Sequence, residues 1–177
     1  MAKKVYKTTL SNRGVNSLIK KVKNYRDSVV DKTYLFAHKL AEKGVDVAQV
    51  YLGSYNAIFT GDLMRSIHAI GGNVSKGTTI FYIVADSEHA VFVEFGTGQV
   101  GQEAPYPYPF PLGTDWEYNT GETIFEFETG QYGWFYIGND GKLYFTQGMP
   151  ARPFMYETSL RLKDMSLVVR TAKEVFR

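Results

Sequence analysis

The 177-residue chain contains no cysteine. Disulfide bonds, thiolate catalysis and cysteine-ligated zinc are therefore excluded for this chain, and the absence fits a reducing compartment. No apolar run approaches the ~20 residues that a membrane helix needs, and no signal-peptide core follows the basic start MAKKVYKTTL. We therefore expect a soluble protein that is not exported and does not enter a membrane.

Histidine is scarce, with His38, His68 and His89 as the three examples. His38 and Glu42 are four residues apart, a spacing typical of a solvated helix face. His89 lies beside Glu88 but lacks a further ligand at metal spacing. The H-E-x-x-H, G-x-S-x-G and G-x-x-x-x-G-K-[ST] motifs are missing. The sequence predicts neither a metal nor a cofactor.

Glycines and carboxylates offer little more to an enzyme hypothesis. The stretch GTGQVG, residues 96–101, has glycines spaced as in a phosphate loop. It lacks the strand before it and the long helix after it that such a loop requires. Asp62, Glu94 and Glu103 could serve as acid and base only if the fold brought them together, and no pattern indicates that it does. We expect a protein that is not an enzyme.

Charge is strongly segregated along the chain. Residues 1–43 contain 11 Lys/Arg and 3 Asp/Glu, whereas residues 77–150 contain one basic residue and 10 acidic ones. Such a distribution predicts faces of opposite sign. It has two interpretations: the helices of the fold are simply basic, or copies of the protein stack positive against negative. Nucleic-acid binding by residues 1–43 is a weaker alternative, because aromatic residues are few there and no base-reading motif occurs.

The first part of the chain predicts a long helix. Residues 1–10 are expected to form a flexible basic arm. Over residues 15–40 apolar side chains recur every three or four positions, which indicates an amphipathic helix of roughly 45 Å, and Ser11 or Asn12 can cap it. Gly44 is expected to end this helix, and a second short helical segment is expected at residues 45–52.

The middle of the chain predicts two strands and a short helix. A loop is expected at residues 53–62, followed by strands at 63–72 and 78–86 joined by a glycine-rich turn. The stretch SEHAVFVEFGTG then favours a short helix over a third strand. Ser87 is expected to accept amide hydrogen bonds at its start, and Gly96 to end it.

The remaining chain predicts an irregular segment, a hairpin and a helix. Residues 97–132 contain four prolines alternating with tyrosines and a phenylalanine, which indicates an extended loop. A hairpin with an Asn-Asp-Gly turn at 139–141 follows, and a last helix begins near Pro153. Because helices and strands are segregated, we predict an α+β fold with a long N-terminal helix and a C-terminal helix on a small antiparallel sheet. Residues 1–177 are predicted to form a single domain, with 97–147 as an insertion.

Three stretches, in this order, carry a family resemblance: GDLMRSI (61–67), AVFVEFGTG (90–98) and GMPARPFMYETS (148–159). Together with the long helix before them, they resemble the head–tail joining, or tail-completion, proteins of tailed bacteriophages, the family typified by the tenth gene product of a lambdoid phage. The resemblance spans about residues 10–177. The insertion at 99–147 is longer than in the family's shorter members, so its role is the part that transfers least.

The resemblance implies a non-enzymatic virion protein that is assembled in the bacterial cytoplasm. Family members form rings, typically hexamers, at the head-proximal end of the tail. The implied partners are further copies of the chain, the tail tube protein and the head connector or stopper protein, with passing contact to DNA in the channel. A connector-side adaptor or stopper ring is the second interpretation within the neck.

The aromatic hairpin supports a different alternative. The stretch GWFYIGNDGKLYFTQG, residues 133–148, resembles one unit of the aromatic cell-wall-binding repeats. Those modules stack several units, whereas this chain has one copy, and a lone hairpin is marginally stable. A glycan-binding module is therefore kept as the alternative function.

Two sets of residues follow from these interpretations. A structural motif is expected at Glu94, Phe95, Gly96, Thr97, Arg152, Pro153 and Phe154. In this motif we expect Glu94 to form a buried ion pair with Arg152, and the phenylalanines to lie in the core. Contacts with a neighbouring subunit are expected from the aromatic residues of the insertion, namely Tyr106, Tyr108, Phe110, Trp116 and Trp134.

Overall fold

The computed structural model describes residues 5–57, 61–75, 78–111, 113–118, 125–126, 132–138 and 140–176. Its elements are α1 (Asn12–Ser54), α2 (Asp62–Ser66), β1 (Ile67–Ser75), β2 (Thr78–Ala85), α3 (Ala90–Phe95), α4 (Gly98–Glu103), β3 (Phe125–Glu126), β4 (Tyr132–Ile137), β5 (Leu143–Thr146), β6 (Gly148–Met149), α5 (Phe154–Leu162) and α6 (Met165–Phe176). Strands β1 and β2 form one antiparallel sheet, and β3, β4 and β5 form another. The predicted α+β class is confirmed.

Helix α1 is one continuous helix of 43 residues, about 65 Å long at the usual rise. The Ser11 hydroxyl caps it by accepting a hydrogen bond from the amide of Gly14 at 3.1 Å. The predicted end at Gly44 is wrong. A Cβ atom there would lie 2.2 Å from Ile83 Cδ1 and 3.0 Å from Leu162 Cδ1, so this glycine allows α1 to pack closely against β2 and α5.

The strand predicted at 63–72 begins later than expected, at Ile67, because helix α2 precedes it. Leu63 and Ile67 are 8% and 3% exposed. Their spacing of four residues places both on one side of a helical turn, facing the core. The strand predicted at 78–86 is confirmed as β2, which pairs with β1 around a bulge between Gly71 and Asn73.

The hydrophobic core lies where the second half of α1 meets the other elements. Its buried members are Ala48, Leu52, Leu63, Ile67, Val93 and Phe154. Leu52 and Phe154 are fully buried. Apart from the two residues of α1, each member comes from one of three sequence stretches, GDLMRSI, AVFVEFGTG and GMPARPFMYETS. These stretches, far apart in the sequence, therefore share one packing centre.

The C-terminal segment forms two helices rather than the single predicted one. The chain turns at Lys163, and the carboxylate of Asp164 then caps α6 by accepting a hydrogen bond from the amide of Ser166 at 2.8 Å. Lys43 of α1 donates to the Thr171 hydroxyl at 3.0 Å and to the carboxylate of Glu174 at 2.9 Å. These bonds fasten α6 along the middle of α1.

The insertion contains more regular structure than the sequence indicates. The predicted hairpin is confirmed as β4 and β5, whereas the expectation that 97–132 is wholly irregular is wrong, because α4 begins at Gly98 and β3 pairs with β4. Residues 119–124 and 127–131, and Asn139 of the predicted turn, lie outside the described residues.

Candidate functional site

Glu94 is a buried carboxylate bonded to the first turn of α5. Its side chain, 7% exposed, accepts hydrogen bonds from the amide of Met155 at 2.8 Å and from the amide of Tyr156 at 3.0 Å. Pro153, at the N-cap position of α5, offers no side-chain hydrogen bond. The Glu94 side chain of α3 therefore caps α5.

The amides at the start of α5 are all satisfied. The amide of Phe154 donates to the carbonyl of Arg152 at 2.7 Å, and that of Glu157 donates to the carbonyl of Pro153 at 2.9 Å. The two amides between them are those bonded to Glu94. Removing the carboxylate would thus leave two partly buried donors without acceptors.

The predicted ion pair between Glu94 and Arg152 is wrong. No ion pair joins these two side chains, both of which belong to the described part of the chain. Arg152 contributes its backbone instead, because its amide donates to the carbonyl of Val93 at 2.9 Å. Val93 and Glu94, which are adjacent in α3, thus bind the residues just before α5 and the first turn of α5. Glu94 is paired with backbone amides and not, as predicted, with the guanidinium of Arg152.

Burial dominates the electrostatics of this carboxyl group. It raises the pKa of Glu94 to about 7, against the opposing effect of the two amide hydrogen bonds, and the nearby carboxylate of Glu157 raises the pKa further. The folded protein therefore holds a proton on Glu94 at pH values where an exposed glutamate has lost it.

This shift predicts a fall in stability as the pH rises. Because the pKa of Glu94 is raised in the folded state from 4.5 to about 7, its contribution is complete below the unfolded pKa and is lost as the pH rises through the folded pKa. At about 1.4 kcal/mol for each pH unit of difference, the loss is about 3 kcal/mol. Urea unfolding at a series of pH values measures it. In Glu94→Gln, which cannot titrate, this part of the pH dependence should be absent. An unchanged profile would contradict the assignment.

The glycines after Glu94 permit close approach of two backbone segments. Gly96 has φ 82°, and a Cβ atom there would lie 2.7 Å from the amide nitrogen of Ala151. Gly98 has φ 63°, and its Cβ would lie 2.5 Å from the carbonyl oxygen of Gln147. The Thr97 hydroxyl is buried between them and has no hydrogen-bond partner in the structure. Residues 96–98 and 147–151 therefore form a close backbone contact, here called the joint. The joint lacks the strand–loop–helix geometry of a phosphate site.

The proline-rich loop folds back onto the same joint. Tyr106 is 6% exposed and packs edge-on against Phe95, with ring centroids 4.9 Å apart. The Trp116 indole donates to the carbonyl of Gly96 at 3.1 Å, and Tyr108 stacks on Tyr156 with centroids 4.1 Å apart. The loop thus covers α3 and the first turn of α5 of its own chain.

This packing corrects part of the predicted subunit interface. Tyr106 is buried within its own chain, so it has little surface left for a neighbour. Tyr108 and Trp116 are half-buried in the same cluster, and Trp134 is half-buried against the backbone at Gly98. Phe110 keeps 40% of its surface exposed and is the member of the set that remains most available for contact.

Other polar groups are dispersed over the surface. His38 lies 3.5 Å from Glu42, and His68 lies 3.5 Å from Asp86, with all four side chains at least 40% exposed. A shallow groove of about 320 Å³ between α1, β2 and α5 is lined mainly by apolar side chains. Within the described residues there is neither a group of three metal-ligating side chains nor a helix long and apolar enough to cross a membrane.

No protein-family model, curated protein or solved structure matches this chain. Its function is therefore inferred from the geometry of the joint, the distribution of charge and the three sequence stretches that meet at the joint.

Proposed function

We propose that this protein is a structural component of a tailed-bacteriophage neck. In this proposal, copies of the chain form a ring, with six subunits as the expected number, that completes the tail and joins it to the head connector. The carrying observation is the convergence of the three resembling stretches. Leu63, Ile67, Val93 and Phe154 share one core cluster, and Glu94 fastens the second stretch to the third.

This convergence supports a structural role for the motif residues. The carboxylate that stands out in the sequence faces two backbone amides, and its neighbours Phe95 and Gly96 contact the covering loop and the 147–151 segment. Each of these contacts holds one part of the fold to another.

Exposed apolar side chains and segregated charge support assembly. Ile137 and Leu143 are 72% and 69% exposed, and large apolar side chains exposed in groups mark association surfaces. The basic first 43 residues and the acidic 77–150 region hold opposite charges in separate parts of the chain, and such segregation favours association of unlike surfaces. These features fit contacts with further copies, with the tail tube and connector, and with DNA passing through the channel.

The test is negative-stain imaging and native mass spectrometry of the purified protein, alone and with tail tubes and connectors from a candidate phage. Rings that cap tail tubes support the proposal. Rings that bind connectors but not tubes favour the adaptor or stopper interpretation. A protein that stays monomeric with both tail tubes and connectors contradicts the proposed ring function.

The exposed aromatic side chains of the hairpin favour the glycan-binding alternative. Tyr132, Phe135, Tyr136 and Tyr144 are 36% or more exposed, and exposed aromatic rings can stack on sugars. A monomer that sediments with purified cell walls, and that loses this binding when Tyr136 is replaced by alanine, would favour the module over the ring.

A further inference from the structure

The first half of α1 projects beyond the rest of the subunit. Between the described residues, ring contacts of α1 with other elements join Tyr34 to Phe81 and Phe36 to Phe176. Residues 12–31, here called the half-helix, precede these contacts and span about 30 Å. Nearly every side chain of the half-helix is exposed. Because most helical stability in proteins comes from packing, we expect the half-helix to pack on a further surface.

One side of the half-helix is mainly apolar. The half-helix stripe consists of exposed aliphatic side chains within one sector of the helix, namely Val15, Ile19, Val22, Val29 and Val30. At 3.6 residues per turn they span a sector of about 100°, and Arg26 lies within this sector between Val22 and Val30. Each is between 38% and 49% exposed. A mainly apolar stripe with a cationic side chain in it is typical of a helix face that is buried on association with an acidic partner.

The half-helix is also basic. It contains five Lys/Arg and two Asp/Glu. Lys23 follows Val22 by one position, about 100° around the helix, and so lies at the edge of the stripe. An apolar centre with a charged edge is the usual anatomy of a protein interface. The partner surface should therefore be apolar at its centre and acidic around it.

The insertion of the same chain has such a surface. Strand alternation places four apolar side chains on one face of the β4–β5 hairpin, here called the hairpin face: Phe135, Ile137, Leu143 and Phe145. They are between 36% and 72% exposed. Residues 97–147 contain seven Asp/Glu and one Lys, so the hairpin face belongs to the acidic part of the chain.

We propose that the half-helix stripe of one copy packs on the hairpin face of a second copy. Charge complementarity selects this pairing over a pairing of two half-helices, because two basic half-helices would repel each other. The contact joins two different surfaces and is therefore heterologous, and repeating it around a closed rotation gives a ring. It rests on the proposed ring function in one respect, since it specifies how neighbouring subunits of that ring meet.

The test places a negative charge on each surface. Val22→Asp should disrupt the stripe, and Leu143→Asp should disrupt the hairpin face, each weakening assembly at least about tenfold in native mass spectrometry. Asn24→Asp is the matched control, since it adds the same charge two residues away, about 200° around the helix, and should assemble as the wild type does. Circular dichroism and thermal melting confirm that each variant is folded.

Mixing the two defective variants distinguishes this contact from others. A Leu143→Asp copy keeps its half-helix and a Val22→Asp copy keeps its hairpin face, so the mixture should give one-to-one heterodimers that do not extend. This result, with each variant monomeric alone, supports the proposal.

Three results overturn the proposed contact. Wild-type rings that persist in either variant overturn it and leave the ring function standing. If the wild type forms rings only on tail tubes, rings that persist there in either variant have the same meaning. Wild-type protein that is monomeric throughout and is retained by a DNA duplex through its half-helix overturns both proposals.

Discussion

Replacing Glu94 with alanine is expected to lower the free energy of unfolding by about 4 kcal/mol at about pH 5.5. The substitution leaves the amides of Met155 and Tyr156 without their acceptor, and a buried donor left unsatisfied costs about 1–3 kcal/mol. It also opens a small cavity, because Glu94 is itself buried. The cost should shrink towards about pH 8, because the wild-type protein itself loses stability as this carboxyl group ionises.

Urea unfolding followed by circular dichroism at both pH values measures the effect. Glu103→Ala is the matched control, since it removes an exposed carboxylate whose hydrogen bond is to Gln99 on the same short helix. It should change the stability by no more than about 0.5 kcal/mol. If Glu94→Ala unfolds at the same urea concentration as Glu103→Ala, the carboxylate does not cap α5.

The importance of Glu94 was accessible from the sequence, whereas its partner was not. A single carboxylate inside the apolar run Val-Phe-Val-Glu-Phe predicts a buried charge that needs a partner. Sequence reasoning looks for that partner among cationic side chains, and Arg152 was the nearest candidate within the third stretch. Backbone amides carry no sequence signal. The available hint was Pro153, because a helix that begins after proline lacks a side-chain cap and must find one elsewhere.

Periodicity predicted the helices better than it predicted their ends. Gly44 resembles a helix stop because glycine commonly ends helices, yet α1 continues for ten residues beyond it. The reason is tertiary: Ile83 and Leu162 occupy the space that a side chain at this position would need. The sequence does not distinguish a glycine at a close packing contact from a glycine that ends a helix. The residues that pack against Gly44 are more than thirty positions away in the sequence.

The aromatic insertion is a second case in which the sequence does not identify the contact partners of its residues. Composition indicates that its tyrosines and tryptophans pack on something, but does not indicate whether the surface belongs to the same chain. Tyr106 lies on Phe95 of its own subunit. The exposed apolar surfaces lie elsewhere, on the first half of α1 and on the hairpin around Ile137. The stripe was visible in the sequence as part of an amphipathic helix. Its exposure follows from the length of α1, which extends past the elements that cover its second half.

Replacing Gly148 with alanine is the second change for which we expect a large loss of stability, about 4 kcal/mol. Gly148 has φ 101°, a conformation that costs other residues about 1–3 kcal/mol. A Cβ atom there would also lie 1.9 Å from the carbonyl oxygen of Thr97. Backbone cannot move aside as a side chain can, so the two segments must separate, at a further cost of about 1–3 kcal/mol. The pairing of Gly98 with Gly148 would be lost with them.

Gly53→Ala is the matched control for this substitution. A Cβ atom at Gly53 would meet nothing within 4 Å, and the position is helical, so alanine should be neutral or stabilise by up to about 1 kcal/mol. Urea unfolding gives the difference between the two variants. Tryptophan fluorescence then locates the damage, because Trp134 packs against Gly98 and Trp116 bonds to Gly96. Wild-type stability and fluorescence in Gly148→Ala would mean that the GTG segment and the 147–151 segment do not meet. A loss confined to Gly148→Ala, with a shift in that emission, would place the two glycine-bearing segments in the contact that anchors the hairpin to the capped start of α5.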